Sequence, residues 1–285
     1  MVRPSLAEPG LGAWRREPRT EVRHALPVPL GSPASAVIVA EQHATAGVPT
    51  EWAPHAHPMH ELVWVRGGTL TARVADRLLT VAEGDGLWVP AGVVHAGRLT
   101  AHVELHDAFF APDRTPVELT GPGTVAMTPV LDSLLGHLAR TDLDEEMRAR
   151  AEAVVFDVLR PSEQPLELPL PGDPRIDPIA EALLDDPADP RGLHEWADVL
   201  VTSERTIARA FRRSTGLSFV QWRRALRVHQ ALTLLAEGRD VQRTSELLGY
   251  AQPSTFIAAF RQVMGVTPGA YLGAGPGAGR VSVSA

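Results

Sequence analysis

One heptapeptide is written twice in this chain. Thr206-Ile207-Ala208-Arg209-Ala210-Phe211-Arg212, closing at Gly216, returns 49 residues on as Thr255-Phe256-Ile257-Ala258-Ala259-Phe260-Arg261, closing at Gly265. Leu217-Ser218 and Trp222 have their counterparts in Val266-Thr267 and Tyr271. Similar units at a fixed offset are one supersecondary device used twice. In both copies the apolar positions share one helical face: Ile207, Ala210 and Phe211, then Phe256, Ala259, Phe260 and Val263. Ser203 can cap the first helix, and each glycine stands where a C′ glycine ends one. Such a segment folds as helices packed on helices, predicted over 179–184, 192–200, 203–214, 219–236, 241–248 and 253–264.

Charge says what the device meets. The net charge of −7 conceals an asymmetry: residues 1–202 hold 16 Arg against 30 acidic residues, and residues 203–272 hold 10 Arg against 4. A basic module on an acidic body is the footprint of a polyanion binder. The chain has no lysine, so its fixed side-chain cations are guanidinium groups, which suit phosphate and guanine. Arg205, Arg209 and Arg212 recur at i, i+4 and i+7 on the first repeated helix, with Arg213 beside them. A merely solvated face is normally mixed in sign, and this stripe is not. A short helix, a tight turn and a second helix bearing Arg is the helix-turn-helix arrangement, whose second helix enters the major groove. The second copy presents Gln252, Ser254, Thr255 and Arg261, with Pro253 and Ala258 in place of long side chains. It is expected to grip phosphate and read shape more than bases. Arg223, Arg224 and Arg227, on the long helix between the copies, are expected on backbone phosphate.

Residues 193–272 resemble the DNA-binding domain of AraC/XylS-type transcription regulators. The residues that carry the likeness are Ser203, Arg205-Thr206, Ala210-Phe211-Arg212, Gly216, Leu232 with Leu234 to Gly238, Gly249-Tyr250, Phe256, Phe260-Arg261, Gly265, Thr267-Pro268 and Tyr271. The resemblance implies base contacts from Arg205, Ala208 and Arg209 of the first recognition helix. It implies weaker readout by the second, where Pro253, Ser254 and Ala258 fill the reading positions. Ser203, Thr206, Arg212, Arg213 and Arg223 join the expected DNA-contact set, with Gln252, Ser254, Thr255 and Arg261 from the second copy.

Upstream, short β segments broken by Gly and Pro run from Glu51 to about Phe110, after a first strand over 36–41. Expected strands are 61–66, 69–75, 78–81, 86–89, 102–105 and 108–110, a sandwich or barrel. His55-x-His57-x3-Glu61-x6-Gly68 and Gly84-x5-Pro90-x-Gly92-x2-His95 match the two motifs of the cupin barrel, except that Leu99 stands where the second motif ends in Asn. His55, His57, Glu61 and His95 could form one face of a site for a divalent first-row metal with positions left open. The other reading is a ligand pocket whose histidines bond to one another and to Glu61. Trp52, Trp64 and Trp88 are candidate pocket walls.

The fold expected is α+β in two domains: an arm over 1–35, a cupin-like sensor over 36–160, a Pro-rich linker over 161–175, an all-α domain with two helix-turn-helix motifs over 176–272, and a disordered tail over 273–285. Helical periodicity over 130–159, with Asp142 as a cap between two helices, suits either a cover for the barrel or a dimer seam. No cysteine means no disulfide or thiolate zinc site. No secretory signal or apolar run of membrane length is present, so a cytoplasmic protein is expected. The leading expectation is a non-enzymatic, ligand-responsive, dimeric transcription regulator with promoter DNA, a small-molecule effector and RNA polymerase as partners. The competing readings are a metal-dependent cupin enzyme, a dioxygenase or isomerase, and a metal- or redox-sensing regulator.

Overall fold

The computed structural model describes residues 20–24, 35–39, 43–44, 47–116, 119–163 and 165–273. Most of the expected arm and nearly all of the expected tail lie outside these residues. Contacts divide the chain into a strand-rich unit, within residues 19–75 and 79–167, and a helical unit built on 168–269 with the strip 76–78.

The strand-rich unit opens with β1 (Glu21–Arg23), which falls inside the expected arm and pairs in parallel with residues 50–52. There follow β2 (Val37–Val39), β3 (His43–Ala44), β4 (Thr50–His55), β5 (His60–Arg66), β6 (Thr69–Val74), β7 (Arg77–Ala82), β8 (Asp85–Val89), β9 (His95–Leu99), β10 (Glu104–Phe110) and β11 (Gly123–Ala126). One sheet runs β1-β4-β9-β6-β7; the other runs β11-β8-β5-β10-β2, with β3 also on β10. Where strands of 102–105 and 108–110 are predicted, β10 is continuous and pairs with β5 from Glu104↔Arg66 to Phe110↔His60.

Strand alternation then sorts the side chains. Glu61, Val63 and Val65 of β5 share a face with Phe109, Asp107 and Leu105 of β10. Val63, Val65 and Leu105 pack there with Leu70, Val74, Leu79, Val89 and Leu99, the inner core of the barrel. Leu62, Trp64, Ala108 and Phe110 face the other way. Onto that outer face fold α1 (Pro129–Leu138) and α2 (Glu145–Val158), which bury Leu131, Leu135, Leu138, Ala151 and Val155. Thr128 caps α1, and the cap of α2 is Asp144. Asp142, the cap expected from sequence, pairs instead with Arg140 at 2.7 Å.

The last strand, β12 (Glu167–Pro169), precedes α3 (Asp177–Asp185), α4 (Leu193–Val199), α5 (Glu204–Thr215), α6 (Phe219–Ala236), α7 (Val241–Leu247), α8 (Pro253–Met264) and α9 (Pro268–Gly273). Leu168, Leu170 and Ile176 are buried with Ile179, Trp196, Phe211 and Trp222. The Trp222 indole donates to the Pro169 carbonyl at 2.7 Å. The second half of the segment expected to be a linker is therefore core of the helical unit: its leucines are buried and its backbone is bonded.

Gly249, in the turn between α7 and α8, has φ +71, and a Cβ there would lie 2.8 Å from the Ala188 carbonyl oxygen. Gly265, with φ +75, has nothing within 4 Å of that position. Both need the left-handed region, but only Gly249 also lets two backbone segments meet. Gly265→Ala should cost about 1 kcal/mol of unfolding free energy, and Gly249→Ala at least about 1 kcal/mol more. Urea unfolding of the two variants checks this; equal losses would contradict it.

Candidate nucleic-acid interface and barrel site

Two helix-turn-helix pairs stand in the helical unit, α4 with α5 and α7 with α8. The first turn carries Val201 at φ +50 and 92% exposed, a costly conformation for a β-branched residue. After it, Ser203 caps α5 by accepting from the Thr206 amide at 3.2 Å. Ile207, Ala210 and Phe211 are buried, so Arg205, Arg209 and Arg212 are turned outward. None of these three has a hydrogen-bond or ion-pair partner among the described residues. Ala208 is half-buried between them. Arg213 is exposed but leans to Asp173, 3.7 Å away.

On α8, Pro253 takes a first-turn position, where its missing N–H costs nothing. Gln252, Ser254, Thr255, Ala258 and Arg261 are exposed, while Phe256 and Phe260 are buried. Pro253 itself is half-buried. The outward face of α8 thus has one guanidinium where that of α5 has three.

The arginines of α6, expected on phosphate, each have a partner within the helical unit. Arg223 is half-buried and donates to the carbonyls of Arg191, at 2.9 Å, and Asp189. Arg227 donates to the Pro187 carbonyl at 2.8 Å and lies 5.0 Å from the Tyr250 ring centre. Arg224 donates to the Gln262 side chain of α8 at 2.6 Å. The reason is local: the turn after α3 offers carbonyls with no helical partner, and guanidinium groups satisfy them. Burial lowers the pKa of Arg223 and of Arg227, yet guanidinium stays charged at any ordinary pH. These contacts fasten α6 to its surroundings.

In the barrel, β4, β5, β9 and the loop after β4 bring His55, His57, Glu61 and His95 together. One ring nitrogen from each histidine lies within 4.8 Å of the others. Each Nδ1 faces a backbone carbonyl: Ala53 at 2.8 Å for His55, Met59 at 2.7 Å for His57 and Val93 at 3.0 Å for His95. Glu61 Oε2 lies 3.1 Å from His57 Nε2 and 3.2 Å from His95 Nε2. A carbonyl can only accept, so each Nδ1 carries a proton and each Nε2 of a neutral ring presents its lone pair. That tautomer is the one a metal-ligating imidazole adopts. His57 and His95 face acceptors at both nitrogens, one more than a neutral ring can serve. Burial opposes charge on His57, but the hydrogen bond to Glu61 wins and raises its pKa. Burial likewise opposes charge on Glu61, and the bonds from His57 and His95 overcome it, holding the carboxyl at about 2. Burial and then His95 lower the pKa of His55. Three imidazoles whose Nδ1 groups are fixed by carbonyls, around one ionised carboxylate, fit a divalent cation once it displaces the Nε2 protons shared with Glu61.

The tryptophans separate. Trp52 packs against the inner core of the barrel. Trp64 and Trp88 do not line it: they stand on the outer face under α1 and α2, bonded to Asp132 at 3.2 Å and to the Leu119 carbonyl at 3.1 Å. Trp64 is three residues from inward-facing Glu61, and an odd offset on a strand reverses the face. The inner face has instead Phe109, whose ring centre is 5.4 Å from that of His57, and Asp107. Neither is found by sequence reasoning, because splitting β10 in two hides the alternation Leu105-Asp107-Phe109.

Comparison with known proteins agrees with this geometry. A family described as "Helix-turn-helix domain" matches residues 196–274, and one described as "Cupin domain" matches residues 43–109. The HTH-type transcriptional regulator NimR of Escherichia coli strain K12 is 34% identical over 222 residues, 76% of this chain and 81% of that protein. The HTH-type transcriptional regulator RipA of Corynebacterium glutamicum is 30% identical over 223 residues, 74% of this chain and 61% of that one. A crystal structure of ToxT from Vibrio cholerae O395 overlaps 83% of this chain and 97% of its own at 11% identity, with a TM-score of 0.35. The doubled helix-turn-helix, the cupin barrel before it and the extent of the match to NimR show that this chain belongs to the AraC family of DNA-binding transcription regulators.

Proposed function

We propose that α5 reads bases in one major groove of promoter DNA while α8 grips the next, and that a small organic effector in the barrel controls this binding. The observation that carries the reading is the contrast among the arginines: Arg205, Arg209 and Arg212 of α5 are exposed and unpartnered among the described residues, whereas Arg223 and Arg227 are spent on carbonyls. Arg205 and Arg209 supply bidentate donors for guanine, with Ala208 allowing close approach between them. Ser203 and Thr206 sit at the helix N-terminus, where hydroxyl and amide groups meet phosphate. Arg212 and Arg213 add phosphate contacts. On α8, Gln252, Ser254, Thr255 and Arg261 position the second motif by phosphate and shape.

The protein acts in the cytoplasm as a homodimer joined through the exposed sides of α1 and α2, where Val130, Met147 and Val154 remain uncovered. RNA polymerase is its partner at the promoter, and the barrel senses rather than catalyses. Arg209→Ala should relax the preference at one base pair by about 1–3 kcal/mol while leaving other positions unchanged. Selection of binding sites from a random DNA pool, with wild type and variant in parallel, checks this. An equal loss on every sequence would make Arg209 a phosphate contact.

A second reading is favoured by the three fixed Nδ1 groups. His55, His57, His95 and Glu61 would hold a divalent first-row cation, which supplies a Lewis-acidic anchor for a donor atom of the effector. Since the pKa of His57 is raised, the cation must displace a proton from it. Affinity should therefore grow as pH rises through that pKa and level off above it. Cobalt(II) titration followed by visible absorption, from pH 6 to 8, measures this (about tenfold per pH unit on the rising limb, for one proton displaced). Affinity independent of pH, or unaffected by His57→Ala, would remove the metal from the account.

A further inference from the structure

We propose that the barrel takes a small organic cation, an apolar body carrying an ammonium or amidinium group, and that Asp107 is its counter-ion. The proposal rests on the reading that the barrel holds the effector, and names the class of molecule. It starts from the register of β10: Asp107 is paired with Val63, between Leu105↔Val65 and Phe109↔Glu61. Its side chain is therefore directed to the inner face, beside the apolar Val63, Val65 and Leu105 and on the same face as Glu61, around which His55, His57 and His95 gather. No described residue donates a hydrogen bond to it or forms an ion pair with it, and the one charge that acts on it, Glu61, has the same sign.

A carboxyl in this position stabilises nothing. Burying it without a partner costs free energy whether it sheds its charge or keeps it. Burial, and then Glu61, push its pKa well above the ordinary carboxylate range. An aliphatic residue would pack better among Val63, Val65 and Leu105, so the acid is a feature that the fold tolerates rather than one it needs. A protonated nitrogen supplies what is missing, a charge of opposite sign and N–H donors in a medium of low dielectric. Walls of Val63, Leu105, Phe109 and Trp52 suit a hydrocarbon or aromatic body.

The experiment uses the full chain, stripped with chelator, and three probes of one shape: benzylamine, benzyl alcohol and benzoate. Calorimetry and thermal shift are run on wild type and on Asp107→Asn. Benzylamine should bind wild type at least tenfold more tightly than benzyl alcohol, and benzoate should be weakest. In Asp107→Asn the amine and the alcohol should bind alike, with the Tm of the free protein unchanged or higher. A variant with a lower Tm would mean that Asp107 has a structural partner, and would overturn the proposal. Benzyl alcohol binding wild type as tightly as the amine would overturn the ligand class and leave the barrel as an effector chamber. Failure of all three probes to bind would overturn both.

Discussion

Two guanidinium groups hold the helical unit in one arrangement. Arg223 and Arg227 extend from adjacent turns of α6 and donate to the carbonyls of Pro187, Asp189 and Arg191 in the turn after α3. That turn also touches Gly249 of the second helix-turn-helix through Ala188. Arg224 reaches Gln262 of α8 from the same helix. α6 is thus tied to structure on both sides of it, with Phe211, Phe219 and Trp222 packed at its start. Removing either arginine would strand carbonyls that no helix satisfies, at about 1–3 kcal/mol for each group. Pivoting one helix-turn-helix against the other would break these contacts at a cost of the same kind.

The barrel obeys a different constraint, the two-sidedness of a strand. β5 turns Glu61, Val63 and Val65 to the inner face and Leu62, Trp64 and Arg66 to the outer one. Outside, Trp64 and Arg66 both hold Asp132 of α1, at 3.2 Å and 2.6 Å. The strand that carries the central carboxylate of the histidine cluster therefore also carries the grip on α1. A shift of β5 in response to an occupant of the chamber would be felt at α1 through a bonded contact. On the far side, Glu152 of α2 accepts from the amides of Ala36 and Val37 at the start of β2.

How much of this was legible in the sequence depends on the range over which each feature is encoded. α6 and α8 have the bounds expected from sequence, because their signals are local: the Ser218 and Gln221 capping box, Pro253 in the first turn, Gly265 at the end. The histidine cluster is legible for the same reason, since its motif spacing is sequential. β9 was not, because His95-Ala96-Gly97-Arg98-Leu99 has a glycine at its centre and little β propensity. β4 carries Pro54 and a register shift. The α6 arginines could not be assigned from sequence, because the carbonyls they meet lie 32 to 40 residues away and appear only on folding. Trp64 and Trp88 are a different case: the alternation that turns Trp64 away from Glu61 is written in the sequence of β5 itself.

If α6 makes one rigid body of the two motifs, the distance between the DNA elements they contact is set by the protein. The direct measurement is affinity for an operator into which base pairs are inserted between those two elements. Two inserted pairs, a rotation of roughly 70° on a helix of about 10–10.5 pairs per turn, should weaken binding to the level of the first element alone. Affinity that survives the insertion would show that the two motifs move independently, and would contradict the role given to Arg223 and Arg227.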